Sequence, residues 1–414
     1  MRLPSTRRSR AVVAIAAACA IAAAGTTVAL ARHGDSDLSA GTTPTGAAAS
    51  GVTDPAGSGA SAKPSVRPTA SQPARSSTLP VRKPSSPATV KPSTKTTAKP
   101  TKKPTTKPTT KPTSKLPTKP APVPQQGNPL SQTSGLYVDP QSQPVYWVGE
   151  HSGDSRRASI KAGIADRPLG RWFNGDGADV SDAKAYVAGA ARARKLPVLV
   201  FYHIPQRGCG GGEGAASASA YRSWIDSMAA AIGKHPAVVI LEPDALPQLD
   251  CLSSSAQSTR LSLFSYAVDR LRSSAPNTWT YLDAGHDDWT PAGTMAKWLK
   301  AAGIGHARGF SLNVSNFQST ARNVSYANAV NAALGSSKHF VIDTSRNGNP
   351  LNGDDWCNPT GQRVGVAPRT GGATGLDLQL WVKPPGESDG DCGIGAGTEA
   401  GDFSPAIAMK LLGH

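Results

Sequence analysis

The chain has 414 residues, of which 38% are hydrophobic and 17% charged, and it carries a formal charge of +16. Up to residue 128 there are 19 Lys+Arg against 3 Asp+Glu, and beyond it 25 of each, so the whole excess belongs to the N-terminal third. A remainder of zero net charge removes the electrostatic basis for nucleic-acid binding, and no nucleic-acid partner is expected.

Arg2, Arg7, Arg8 and Arg10 precede an uncharged, alanine-rich run over 11–31 that ends Ala29-Leu30-Ala31. Basic, then apolar, then small residues is the order of an export signal, while the length of the run also suits a retained membrane anchor. Residues 32–127 are mostly Pro, Thr, Ser, Ala and Lys, with KPTTKPTTKPTSK as the clearest repeat and no aromatic residue. Such a segment cannot build a core and reads as a disordered spacer. Its lysines suit either a soluble linker or an extended chain against anionic cell-wall polymer, so attachment to membrane or wall is one expectation and release after Ala31 the other.

Residues 128–414 form the candidate folded domain. Apolar runs and amphipathic stretches alternate there, predicting strands at 170–173, 197–204, 237–241, 278–282, 307–312, 340–342 and 378–382. Helices are predicted between them at 182–194, 220–232, 259–272, 291–302 and 326–334. Runs such as Val238-Val239-Ile240-Leu241 lack polar alternation, as strands buried on both faces do. Repeated β-then-α order with right-handed crossovers gives a parallel sheet, and seven units suit an α/β barrel, closed or nearly so, with an open doubly wound sheet as the alternative.

In parallel α/β folds functional residues gather at the carboxyl ends of strands. Asp244 follows the third strand, Tyr202 and Arg207 the second, Asp283 and His286 the fourth, Asn313 and Asn316 the fifth, Asp343 and Arg346 the sixth, and Lys383, Glu387 and Asp389 the last. A single strand-end carboxylate is often a helix cap or a loop salt bridge. So many in succession point to a site. Trp172, Trp289, Trp356 and Trp381 fall beside the same ends. Flat rings among carboxylates and amides suit a sugar, and two separated carboxyl groups are the chemical minimum for cleaving a glycosidic bond.

The ordered set NPLSQTSGLYVDPQSQ, YHIPQRGC, ILEPDAL, YLDAGHDDW, NVSNF, DTSRNG, GDDWCNP and WVKPPGESDG resembles glycoside hydrolase family 6, the inverting cellulases, across essentially all of 128–414. The resemblance implies a distorted, seven-stranded parallel α/β barrel that cleaves β-1,4-glucan with inversion and without cofactor or metal. By motif, Asp244 corresponds to the general acid, Asp389 to the carboxylate proposed as base, with a water chain as the other route, and Asp283 to an aspartate supporting the acid. Tyr202 corresponds to the tyrosine beside the distorted sugar, Lys383 and Glu387 to sugar contacts, and Trp172, Trp289 and Trp356 to stacking positions. His286, Asn313 and Asn316 complete the expected substrate-binding set. Inversion needs room for a water, so Asp244 and Asp389 are expected roughly 6.5 to 9.5 Å apart.

One position departs from the family pattern: Arg207-Gly208-Cys209 stands where Arg-Asp-Cys is usual. Glu213, in the glycine-rich stretch that follows, is a candidate to return a carboxylate from another backbone position. Gly210, Gly212 and Ala215 also fit a dinucleotide-loop pattern, but Pro205 and Cys209 interrupt the tight turn that pattern needs. Four cysteines in an exported domain read as two disulfides with three connectivities, and the family pattern selects Cys209 with Cys251 and Cys357 with Cys392. Short loops favour an open cleft and internal cleavage over a tunnel acting on chain ends. The sequence thus describes an exported, monomeric β-1,4-glucan hydrolase, with a glucan-binding protein on the same scaffold as its rival.

Overall fold

The computed structural model describes residues 127–209, 212–351 and 355–414. The export segment and nearly all of the spacer expected from the sequence lie outside the described residues. Seven strands run parallel in one curled sheet: β1 (Arg171–Phe173), β2 (Val198–Phe201), β3 (Ala237–Leu241), β4 (Thr278–Asp283), β5 (Gly309–Leu312), β6 (His339–Asp343) and β8 (Leu376–Leu380). A two-residue strand, β7 (Arg369–Thr370), pairs antiparallel with β8 and makes the sheet eight-stranded. It was not predicted, because two exposed residues carry no periodicity.

The predicted sequence of parallel strands therefore holds, and the sheet curls until its two ends nearly meet. Gly170, just before β1, donates its backbone N–H to Trp381, just after β8, at 2.8 Å. A Cβ at residue 170 would lie 2.7 Å from the Val382 carbonyl, so glycine permits this approach. Trp172 Nε1 adds a bond to the same carbonyl at 2.9 Å.

The sheet is buried on both faces, which explains its unbroken apolar runs. Val198, Val200, Val238, Ile240, Tyr281, Val341 and Leu380 pack together on its inner face. The alternate residues, among them Leu199, Phe201, Val239, Leu241, Phe310 and Ile342, pack against the surrounding helices. Five of those helices were predicted: α3 (Asp179–Ala193), α4 (Ala218–Ile232), α5 (Ser254–Ser274), α6 (Ala292–Ala301) and α7 (Thr320–Leu334). Several begin earlier than apolar periodicity suggests. Ser217, Ser253 and Ser319 accept from the N–H groups of Ala220, Ala256 and Arg322, so the side chains that start these helices are polar caps. Helices α1 (Gln143–Glu150), α2 (Arg157–Ile160) and α8 (Pro405–Leu412) were not foreseen.

Three strands end in buried carboxylates. Glu242 follows β3, Asp283 closes β4 and Asp343 closes β6; each is at most 1% exposed. Asp343 accepts from the backbone N–H groups of Ser315, Ser345, Val382 and Lys383, fastening the loops after β5 and β8 to β6. Asp343→Ala leaves these donors without their acceptor and is expected to cost on the order of 3 kcal/mol or more. A lower urea midpoint at unchanged slope is the expected reading, and an unchanged midpoint would remove this role from Asp343.

Candidate active site

At the end of β3 the chain turns through two residues in the left-handed region, Glu242 (φ 52°) and Asp244 (φ 69°). Side chains other than glycine adopt this conformation only where the surroundings hold them. Here Glu242 turns inward and its Oε2 accepts from His203 N at 2.8 Å and Ile204 N at 2.9 Å, which draws residues 202–204 out of the strand predicted for them. Asp244 N donates to Asp283 Oδ2 at 3.0 Å. The buried guanidinium of Arg260 donates to the carbonyls of Ala245, Pro205 and Gln206, tying the loops after β2 and β3 from behind. The Asp244 side chain is thereby presented to a cleft of about 1500 Å³ at the carboxyl ends of the strands.

Trp172, Tyr202 and Arg207 line one part of the cleft. The Trp172 and Tyr202 rings meet edge to face at 5.3 Å, and Arg207 lies over the Tyr202 ring at 4.4 Å. His286, Trp289 and Asn316 line another part, and Trp356, Lys383, Glu387 and Asp389 a third. Trp289 is 37% exposed and Trp356 65%, so much of each side chain is open to solvent.

Burial pushes the Asp244 carboxyl up to about 6; Lys383 opposes the rise and the charge of Asp389 adds to it. Asp283 lies beneath and accepts also from Ser311 Oγ at 3.1 Å and Gly285 N at 3.3 Å. Burial first, then the charge of Asp244, push it up to about 8 against these bonds. Glu242 is pushed up to about 7 by burial. Asp389 is bracketed by cations: Arg346 Nη1 reaches Oδ2 at 2.6 Å and Lys383 Nζ reaches Oδ1 at 3.5 Å. Lys383 also pairs with Glu387 at 2.9 Å, while burial raises the Glu387 carboxyl.

Of the twelve residues expected from the sequence to act in catalysis or to bind substrate, Asp244, Asp389, Tyr202, Trp172, Trp289, His286, Asn316, Trp356, Lys383 and Glu387 share this cleft. Two do not reach its wall. Asp283 is a backbone acceptor below Asp244, consistent with support rather than contact. Asn313, expected to touch substrate, is fully buried: its amide donates to Asp343 O and Asn316 O and its oxygen accepts from Gln318 N. With every polar atom engaged, it shapes the loop that carries Asn316. Trp381 is also buried, its Nε1 bonded to Val366 O.

The disulfides join Cys209 with Cys251 and Cys357 with Cys392. Beside the second, Asn358 N donates to Asp389 Oδ2 and Asp389 N to Asn358 Oδ1, both at 3.0 Å. Sequence reasoning did not select Asn358. Its position after Trp356-Cys357 in a motif of the rim was the available signal. His286, Asp287 and Asp288 are near enough together to ligate a cation, but Arg322 already pairs with both aspartates.

A sequence profile of glycosyl hydrolases family 6 matches residues 132–414. The chain belongs to that family. Endoglucanase 1 of Streptomyces halstedii is 47% identical over 300 residues, covering 70% of this chain and 92% of that protein. Endoglucanase A of Thermobispora bispora is 43% identical, covering 67% of this chain and 62% of its own length. An endoglucanase of Mycobacterium tuberculosis, solved with methyl-cellobiosyl-4-deoxy-4-thio-β-D-cellobioside, superposes with a TM-score of 0.64 at 39% identity, covering 69% of this chain and 98% of that one. This family 6 member is a glycoside hydrolase with an α/β barrel.

Glu242, Asp244 and Asp283 hold protons in the folded chain at pH values where the unfolded chain has released them. The folded state therefore binds more protons from about pH 4 to about pH 8, and stability falls as pH rises through that window. The urea midpoint is expected to be higher at pH 5 than at pH 8; the reverse order would contradict these protonation states. Asp389→Asn removes a charge that raises Asp244, so the Asp244 carboxyl, followed by carbon-13 NMR, is expected to titrate at lower pH in that variant.

Proposed function

We propose that this family 6 member hydrolyses internal β-1,4-glucosidic bonds of cellulose or a cellulose-like glucan, with inversion at the anomeric carbon. The observation that carries the reading is Asp244: a carboxyl raised to about 6 in a cleft that Trp172, Tyr202, Trp289 and Trp356 also line. Below that pH it is protonated and can give its proton to the leaving glycosidic oxygen. Trp289 and Trp356 offer faces for the CH surfaces of sugar rings, Trp172 and Tyr202 close the wall beside the acid, and Asn316, Lys383 and Glu387 offer groups to hydroxyls. Asp283, by holding Asp244 N, fixes the turn from which the acid projects. The endoglucanase relatives support internal cleavage, and the thio-linked cellobioside bound by one of them supports a glucan in the same cleft here.

Two disulfides suit work outside the reducing cytoplasm, in keeping with export through the N-terminal segment. The rival reading, a glucan-binding protein, draws on the side-chain-free Gly208 and on the cations that hold Asp389.

Purified domain is expected to release reducing sugar from soluble β-1,4-glucan, with an alkaline limb near pH 6. Asp244→Asn should lower kcat by roughly 10² to 10⁴. Proton NMR of early product should show the α-anomer, and viscosity should fall ahead of reducing-end formation. A β-anomer would exclude inversion, and release of short sugars without viscosity loss would replace internal by terminal cleavage. Glucan binding with no release at any pH would leave the binding protein.

A further inference from the structure

Among the described residues, six carboxylates border the cleft: Asp139, Glu213, Asp244, Asp288, Glu387 and Asp389. Five are paired among the described residues, Asp139 with Arg171, Asp288 with Arg322, Glu387 with Lys383, Asp389 with Arg346 and Lys383, and Glu213 with Arg207; Asp244 has no cation within ion-pair distance. A hydrolysis that begins with a proton on Asp244 needs a second group that can take one from water. Asp389 is poorly placed for this. Its side chain is 7% exposed, and a proton arriving there would displace a bond from Arg346, Lys383 or Asn358 N.

Glu213 differs in each respect. Its side chain is 61% exposed, and Arg207 touches Oε2 alone, through Nε at 3.3 Å. The remaining reach of Arg207 is committed to Tyr202, by Nη1 to the carbonyl at 2.7 Å and by its face to the ring. Gly208 makes room for Glu213: a Cβ on residue 208 would lie 3.3 Å from Glu213 Oε2. The backbone at Glu213 is pinned, its carbonyl accepting from Gln206 N at 2.8 Å, and the Cys209–Cys251 disulfide fastens the same loop. After burial, the charges of Asp244 and Glu213 both raise the Tyr202 hydroxyl, so one ring lies within electrostatic reach of both carboxylates.

We propose that Glu213 is the proton acceptor of the reaction. A water oxygen bonds to the anomeric carbon as the bond from that carbon to the leaving oxygen breaks. The leaving oxygen takes the proton of Asp244, and the proton shed by the attacking water passes to Glu213, directly or through a second water. Exchange with solvent returns Asp244 to its acid and Glu213 to its carboxylate. This assignment rests on the hydrolase reading above, and it gives Asp389 the part of a fixed charge that favours the protonated form of Asp244.

The test compares the parent protein, as the full chain, with Glu213→Ala, Asp244→Asn and Glu213→Ala combined with Gly208→Asp, on soluble β-1,4-glucan. Glu213→Ala is expected to lower kcat on the order of 10²-fold with KM within about twofold. Azide, an anionic nucleophile that needs no base, should raise the Glu213→Ala rate about tenfold or more and yield a glycosyl azide of inverted configuration, while leaving Asp244→Asn unchanged. Adding Gly208→Asp should restore at least about tenfold, because a carboxylate then grows from beside the lost oxygen. A Glu213→Ala rate within about twofold of an active parent, or a slow variant that azide does not help, overturns the assignment and leaves the hydrolase reading standing. A parent that releases no sugar removes both.

Discussion

Buried carboxylates that accept backbone N–H groups hold the rim of this barrel together. Glu242 takes two from the loop after β2, Asp283 takes one from the loop after β3, and Asp343 takes them from the loops after β5 and β8. Burying an ionised carboxylate costs several kcal/mol of hydration, which is offset here by fixed dipoles and, at Glu242 and Asp283, by a raised affinity for a proton. The loops supply those dipoles. Each bond that eases a carboxylate also fixes a loop, and the left-handed turns at Glu242 and Asp244 are kept by the same bonds.

The cleft inherits its electrostatics from that arrangement. Asp244 projects from a turn whose backbone is already fastened, so it can be desolvated without losing its place. Arg346, Lys383 and Asn358 hold the Asp389 carboxylate in place, and the cations that hold Asp389 are themselves anchored: Arg346 to the Ser315 carbonyl and Lys383 to Ser388 O. Among the described residues, one carboxyl thus has no cation within ion-pair distance, while its neighbour pairs with two. Dissimilar surroundings for two acids in one cleft are what allow them dissimilar roles.

Arg260 shows the same principle with the sign reversed. A guanidinium 2% exposed donates to three loop carbonyls behind the site; burial lowers its pKa, and the charge of Glu242 on the neighbouring loop opposes that fall. Together the pair supplies donors and acceptors to a loop that belongs to no helix or sheet. Loops at such rims vary in length and residue with little effect on the barrel beneath, which is how one scaffold accommodates a glycine at 208 and a carboxylate five residues later.

The parallel strands were legible in the sequence because double-sided burial demands unbroken apolar runs, as in Val238 to Leu241, and because helical periodicity lies between them. Ten of the selected site residues reach one cleft because strand ends in such a fold converge. Residue type and strand-end position could not separate Asp244 from Glu242 two residues earlier, or Asn316 from Asn313. In each case the backbone turn after the strand sends one side chain to the cleft and the other under it. Nor could they reveal that Asp389 rests on Asn358, 31 positions away, or that Glu213 lies over Gly208. The sequence by itself determined which segments must be buried and so where the carboxyl ends gather, since burial depends on local pattern. Only the tertiary structure decided which carboxylate meets an amide, a cation or open water, because those partners arrive from distant parts of the chain.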